Sequence, residues 1–172
     1  MATTRHLYLL RHAKSSWDDA GLPDRERPLA PRGKRALTPI ADHLRRQGIR
    51  PELVLCSPAE RARATLEGVR AALGGGDVRF EEALYTFDAT ALVERIREVP
   101  ASVRSLMVVG HNPAMQELAT MLASEGPDLD RLRGKFPTGA LATLDVTSSW
   151  RGLEEGAARL TGFVAPRDLA EG

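Results

Sequence analysis

Cysteine is almost absent from this 172-residue chain: Cys56 stands alone, so no disulfide can form within it. That usage suits a reducing compartment. Long apolar runs are missing as well. Segments such as Leu7-Tyr8-Leu9-Leu10 stop after four residues, against about 20 for a bilayer span. Arg11 and Lys14 interrupt the N-terminal stretch, which does not read as a secretory signal. An excess of one charge is also lacking. The 24 Lys+Arg and 23 Asp+Glu leave +1 at pH 7, unlike the strong basic excess of a nucleic-acid binder. We therefore expect a cytoplasmic protein with neither a nucleic-acid nor a membrane partner. What is present suffices for a core, since 42% of the residues are hydrophobic. The length fits one domain, read as residues 1–165 with a frayed tail over 166–172.

Three short apolar runs punctuate the chain: Leu7-Tyr8-Leu9-Leu10, Leu53-Val54-Leu55-Cys56 and Leu106-Met107-Val108-Val109. Such runs read as strands buried on both faces. Helical patterns separate them. Residues 33–47 look helical with Gly48 as stop, and Thr38-Pro39 either kinks or restarts that helix. Ala62, Leu66, Val69 and Leu73 share a second helix face, stopped by Gly74-Gly75-Gly76. Asp88 caps a third helix carrying Leu92, Val93 and Ile96. Asn112-Pro113 opens a fourth as N-cap and first residue, ended by Gly126-Pro127. Residues 140–146 and 157–164 read as an antiparallel strand pair. Residues 18–32, rich in Pro, Gly and charge, read as a long surface loop of the kind that often carries function. The expected fold is α/β: a three-layer α/β/α arrangement with a mostly parallel central sheet and a C-terminal antiparallel pair.

In such sheets ligands bind beyond the carboxyl ends of the strands. Arg11-His12 follows the first run, Ser57-Pro58-Ala59-Glu60-Arg61 the second, and Gly110-His111-Asn112 the third. Two arginines and two histidines thus converge on one edge from distant segments. Arginine presents a planar fork of donors that matches phosphate oxygens. Histidine can act as nucleophile, acid–base group or charged donor. A nucleophilic ring needs its attacking nitrogen unprotonated, which a backbone carbonyl accepting from the other nitrogen would ensure.

Leu9-Leu10-Arg11-His12-Ala13 resembles the Arg-His-Gly signature of the histidine phosphatase superfamily, which has the phosphoglycerate mutase-like fold. The longer stretch to Trp17-Asp18 keeps the tryptophan of that signature in register. Ser57-Pro58-Ala59-Glu60-Arg61-Ala62-Arg63-Ala64-Thr65 resembles the family's Ser-x-x-x-Arg-Ala-x-x-Thr segment. Val109-Gly110-His111-Asn112-Pro113 resembles its second histidine motif, and Phe136-Pro137-Thr138-Gly139-Ala140 the segment before a late strand. The small size and the Arg-His-Ala-Lys-Ser start resemble the SixA-type branch of phosphohistidine phosphatases. The resemblance implies His12 as the residue that becomes phosphohistidine, with Arg11, Arg61 and His111 as the phosphate pocket. It also implies neither metal nor organic cofactor, and a phosphorylated protein (phosphohistidine) or a small phosphate ester as partner.

Two departures from the pattern stand out. Ala13 replaces a glycine, a burden if the backbone there needs a positive φ. The general acid is unclear, with Glu82 as candidate, alternating with Glu81 on an expected strand. A labile P–N bond needs an acid less than an alkyl ester does, which favours a phosphoramidate such as phosphohistidine, or an easy ester. A small-molecule phosphatase or mutase of the same superfamily is the alternative, and a phosphoprotein-binding module without efficient turnover is another. Arg63 rivals Arg61 two residues along, on a different helix face. Lys14, Ser15, Arg25, Arg27, Arg32 and Lys34 read as either a basic rim or a solvated face. Trp17 reads as a wedge packed under the loop, Asn112 as a helix cap, Ser57 as a residue that orients its loop, and Cys56 as core.

Overall fold

The three apolar runs become neighbouring strands because each is flanked by a helix that must cover one face of them. The computed structural model describes residues 4–170. Its sheet contains β1 (Arg5–Arg11), β2 (Leu53–Cys56), β3 (Asp77–Phe80), β4 (Ser105–Gly110), β5 (Ala123–Glu125), β6 (Leu141–Val146) and β7 (Ala158–Val164). They lie side by side in the order β3-β2-β4-β1-β6-β7-β5. The pairs β3–β2, β2–β4 and β4–β1 are parallel, and β6 runs antiparallel to both β1 and β7. The parallel core and the C-terminal antiparallel pair match the expected α/β class.

The period of two within each strand splits the core into two layers. Leu7 and Leu9 of β1 join Leu53, Leu55, Leu106 and Val108 on one face. Tyr8 and Leu10 join Val54, Cys56, Met107 and Val109 on the other. The second face is covered by α1 (Pro31–Arg46) and α2 (Glu60–Val69), through Leu37, Ile40, Leu44 and Leu66. The first is covered by α3 (Ala89–Arg97), α4 (Ala114–Leu122) and α5 (Leu129–Gly134), through Leu92, Ile96, Leu118 and Leu132. The result is three layers, helix on sheet on helix.

Several local expectations are corrected. Pro39 does not restart a helix: it lies inside α1, which runs on from Pro31 to Arg46 with Leu37, Ile40, Ala41 and Leu44 on its buried face. The fourth helix stops at Leu122, before Gly126-Pro127, because residues 123–125 leave it to pair with β7. Asn112 still caps that helix from outside: its Oδ1 accepts from the Gln116 N–H at 3.1 Å, while Pro113 holds the cap position. The strand expected to carry Glu81 and Glu82 ends before both, at Phe80. Glu82 instead begins a 3-10 turn, Glu82–Leu84. The sequence reads 166–172 as a frayed tail, but Pro166–Ala170 form a short helix, α6, that packs on α1. The remainder of that tail lies outside the described residues.

One close approach ties α1 to the strand edge. The Lys14 carbonyl accepts from the Ala30 N–H at 2.9 Å. A Cβ at Gly33 would come within 2.2 Å of the same oxygen. Both partners are backbone, so neither can swing aside. Gly33→Ala should therefore destabilise the protein by about 1–3 kcal/mol, as overpacking does. A urea or thermal melt checks this, and an unchanged midpoint would mean that α1 can shift freely.

Candidate active site

Register brings the three motif segments together. Arg11 of β1 pairs with Gly110 of β4, and Cys56 of β2 pairs with Val109, so the three strands end level. The ladder continues past the strand ends: His12 N–H donates to Gly110 O at 3.1 Å and Ser57 N–H to Val109 O at 3.0 Å. Arg11, His12, Ser57 and His111 therefore sit on one edge. Gly139, at φ 74°, folds the segment before β6 over that edge, and its N–H donates to the carbonyls of Arg11 and His12. A side chain at that φ would be strained.

The edge forms a cleft of about 320 Å³ whose lining includes Arg11, His12, Asp24, Arg27 and Arg61. His12 is buried, and its Nδ1 lies 2.8 Å from the Ala13 carbonyl. A carbonyl can only accept, so the neutral ring carries its proton on Nδ1 and leaves the Nε2 lone pair free. Ala13 is itself fixed, because its N–H donates to Thr65 Oγ1 at 2.9 Å, and Thr65 donates on to Arg61 O at 2.7 Å. The alanine that replaces glycine carries no strain: among the described residues every positive φ belongs to a glycine.

Arg61 is 2% exposed and faces the cleft from α2. Its rival Arg63 lies outside, with its guanidinium 4.2 Å from the centre of the Phe80 ring. Arg11 donates to Phe136 O at 2.8 Å. The Nε atoms of both Arg11 and Arg61 are buried without a partner, as is Nδ1 of His111. His111 is 1% exposed and does not line the cleft. Its ring centre is 5.2 Å from that of His12, and the rings of Tyr85 and Phe87 cover it at 5.4 and 5.7 Å. Its Nε2 is 2.7 Å from Ser57 Oγ, so Ser57 orients the second histidine as well as its own loop.

Spacing did not single out Asp24, the carboxylate in the cleft wall. It sits on a 3-10 turn, Asp24–Glu26, inside the segment read as loop. Its Oδ2 accepts from Arg61 Nη2 at 3.0 Å and from the Tyr85 hydroxyl, its Oδ1 from Arg27, and its carbonyl from Arg61 Nη1 at 2.7 Å. These bonds hold its carboxyl well below the usual range, at about 2, with Tyr85 the largest cause and Arg61 next. Glu82, the sequence candidate for the acid, lies outside the cleft lining, exposed and ion-paired with Arg25. That pair clips the 3-10 turn of Asp24 to the one that precedes Tyr85. Trp17 is not a wedge. It is 72% exposed, with the Arg27 guanidinium 3.6 Å from its ring centre. Arg27 is buried beneath it and donates to Ser15 Oγ at 2.8 Å, so it braces the loop. Cys56 is core, its thiol pushed up to about 12 by burial. Among the described residues no group of three or more His, Cys, Asp or Glu is placed to hold a metal ion.

Burial and positive charge act together on the histidines. Burial chiefly, aided by the charges of Arg61 and Arg11, lowers His12 from 6.5 to about 4, against the opposing bond to Ala13. Burial again, then His12 and Arg61, lowers His111 to about 3. Both rings are therefore neutral in the empty cleft at pH 7. A neutral nucleophile beside fixed guanidinium donors can attack a bound phosphorus.

The comparisons agree with this geometry. The sequence model of the histidine phosphatase superfamily (branch 1) matches residues 7–106. An uncharacterised Mycobacterium tuberculosis protein, Rv1276c, is 42% identical over 164 residues, covering 92% of this chain and all of the relative. A protein proposed to be the phosphohistidine phosphatase SixA of Nakamurella multipartita superposes with a TM-score of 0.84 at 30% identity, over 96% of this chain and 98% of the other. The protein histidine phosphatase SixA complexed with tungstate gives 0.77 at 25% identity, over 95% and 99%.

Neutral burial of the two rings makes stability depend on pH. Their folded values lie below 6.5, so the unfolded chain takes up these protons first as pH falls. The stabilisation is complete above about pH 6.5 and is lost downward through about 4 for His12 and about 3 for His111. The slope is on the order of 1 kcal/mol per pH unit for each ring. Urea midpoints should hold steady from pH 8 to 7 and fall from 6 to 4, less steeply in His12→Ala. A midpoint independent of pH across that range would contradict neutral burial.

Proposed function

The chain belongs to the histidine phosphatase superfamily, and from that premise we propose that it is a metal-independent phosphatase acting through a phosphohistidine on His12, with protein phosphohistidine as substrate. The observation that carries this reading is the Nδ1 bond of His12 to the Ala13 carbonyl, which leaves Nε2 free in a cleft that Arg11 and Arg61 also line. In the first step the Nε2 lone pair forms a bond to phosphorus while the bond to the leaving nitrogen breaks and that nitrogen takes a proton from solvent water. In the second step water attacks phosphorus, the His12–phosphorus bond breaks, and inorganic phosphate leaves with His12 restored. Arg11 and Arg61 hold the oxygens through both steps, supplying in place the positive charge that phosphoryl transfer requires. His111, buried beside the His12 ring and outside the cleft lining, adds to that charge from behind as an anion raises its affinity for a proton.

Two features favour a protein substrate. The cleft is flanked by Trp17 and Phe87, 72% and 52% exposed, which offer apolar surface to a substrate larger than a small metabolite. A P–N bond also asks little of a proton donor, which suits a site whose candidate Glu82 is tied up by Arg25. Asp24 is the carboxylate we assign to proton handling: held ionised at rest by Tyr85 and Arg61, it gains basicity when the phosphate displaces it from Arg61 and then takes a proton from the attacking water. The similarity to a SixA that binds tungstate, a tetrahedral oxyanion like phosphate, supports the pocket assignment. Among the described residues no helix is long and apolar enough to cross a membrane, and with a single buried cysteine the reading is cytoplasmic action.

Purified wild type and His12→Ala, in buffer with chelator, should be given a phosphohistidine peptide and a panel of phosphate monoesters. Wild type should release phosphate from the peptide, and His12→Ala should be slower by about a thousandfold or more while remaining folded. Turnover of monoesters alone would move the substrate to small esters. Isomerised product would mean a mutase, and phosphopeptide binding with no release would mean a binding module.

Asp24→Asn separates proton handling from simple bracing. Release should slow by about a hundredfold, while inorganic phosphate should inhibit more strongly because a competing negative charge is gone. An unchanged rate would leave Asp24 as a brace for Arg61 alone.

A further inference from the structure

Beside the cleft lies a second and larger depression, of about 710 Å³. Its walls come from α1, from residues 135–138 and from the start of α6. Every charged residue that lines it is a cation: Lys14, Arg32, Arg35, Lys135 and Arg167. All five are exposed, and among the described residues none is in a salt bridge. The chain as a whole carries only +1, so this concentration reflects placement and not composition. Arg32 and Arg35 stand three apart on α1, on one face of the helix. Between the cations the floor is proline and alanine.

The depression is continuous with the cleft, since Lys14 and Thr138 line both. A segment whose phosphorylated side chain entered the cleft could lay its neighbours along this groove. We propose that the groove binds an acidic stretch of a phosphoprotein substrate beside its phosphorylated residue, a proposal that rests on the protein-phosphatase reading above. A small polyphosphate fits less well. Its oxygens want donors converging on one point, whereas these cations come from separate elements and stand around an apolar floor. That layout matches carboxylates spaced along a chain whose aliphatic stems cover the prolines. Charges of this kind act chiefly on encounter and on KM, and their effect fades with salt.

The test uses wild type and Arg32→Glu/Arg35→Glu, two exposed changes near the start of a helix, where added acids are tolerated. Labelled unphosphorylated peptides of equal length, rich in Asp/Glu, Ala or Lys, are titrated by anisotropy at low and high salt, with tripolyphosphate as a small-anion arm. Phosphohistidine forms of the acidic and alanine peptides are assayed for turnover, with p-nitrophenyl phosphate as a small substrate. The acidic peptide should bind wild type best, and the double variant should bind it about tenfold more weakly. KM for the acidic phosphohistidine peptide should rise by a similar factor in the variant, with kcat and p-nitrophenyl phosphate turnover unchanged. The groove proposal is overturned if all peptides bind alike, if the variant keeps full affinity, or if tripolyphosphate alone needs Arg32 and Arg35. Turnover of both phosphohistidine peptides without preference would sink the groove and leave the function standing. Binding of the acidic peptide that depends on Arg32 and Arg35, with no phosphohistidine turnover, would uphold the docking surface and sink the phosphohistidine reading instead.

Discussion

A guanidinium that is 2% exposed sets the terms for everything around it. Arg61 cannot shed its proton, and an unpaired buried charge would cost several kcal/mol. The fold must bring negative charge and acceptors to it, and does so from a segment 37 residues away, through both the carboxylate and the carbonyl of Asp24. That demand explains why the polar loop before α1 lies against the strand edge instead of extending into water. Arg27 and Tyr85 gather on the same carboxylate, and Arg25 and Glu82 clip the two turns together beside it. On the inner side the α2 backbone takes over: Thr65 donates to the main-chain carbonyl of Arg61 and accepts from the Ala13 N–H, and the Ala13 carbonyl fixes the ring of His12. The buried charge therefore ties the loop to α2, and the backbone of that same turn of α2 sets the tautomer of His12.

Burial, aided by the same charge, sets the protonation of the histidines. Desolvation and nearby guanidinium groups both disfavour imidazolium, so His12 and His111 stay neutral without a carboxylate to orient either ring. Neutral His12 is the form that the proposed attack on phosphorus requires. For His111 the proposed role requires a proton, which an incoming anion would favour by offsetting the nearby guanidinium charge. The cleft is thus electrostatically complementary to what it lacks, and the orphan N–H groups of Arg11 and Arg61 say the same in terms of hydrogen bonds.

The sequence made the parallel core legible because strands buried on both faces must be apolar throughout, as Leu7 to Leu10 and Leu106 to Val109 are. β3 was harder to read: at the edge of the sheet it exposes Asp77 and Arg79, which gives it no apolar run. β5 has three residues and owes its existence to β7, a tertiary cause that no local pattern encodes. Arg11, His12, Arg61 and His111 were visible because they follow strands or begin helices at fixed offsets. Asp24 had no such frame. Asp18, Asp19 and Glu26 share its loop, and only the position of Arg61 in space distinguishes it. Glu82 suits an acid only if a strand alternates through it, whereas the 3-10 turn rotates it out to Arg25.

A site built to hold a phosphate dianion faces a problem at the end of its reaction, since its product is that same dianion. Two fixed guanidinium groups in a cleft with no other counter-ion would release inorganic phosphate slowly. Asp24 offers an internal answer. It is covalently part of the chain, so it competes for Arg61 at a high and constant effective concentration. Its competition is cheap to interrupt, because the turn that carries it is exposed and 46% of its side chain faces water. A substrate held only by its phosphate would suffer from that competition as much as the product does. A substrate held also by its flanks would not, because binding at a neighbouring surface offsets the displacement of Asp24 and is lost to the product once the phosphoryl group has left its carrier. An intramolecular counter-ion in the cleft therefore makes best sense in an enzyme that recognises more of its substrate than the phosphate.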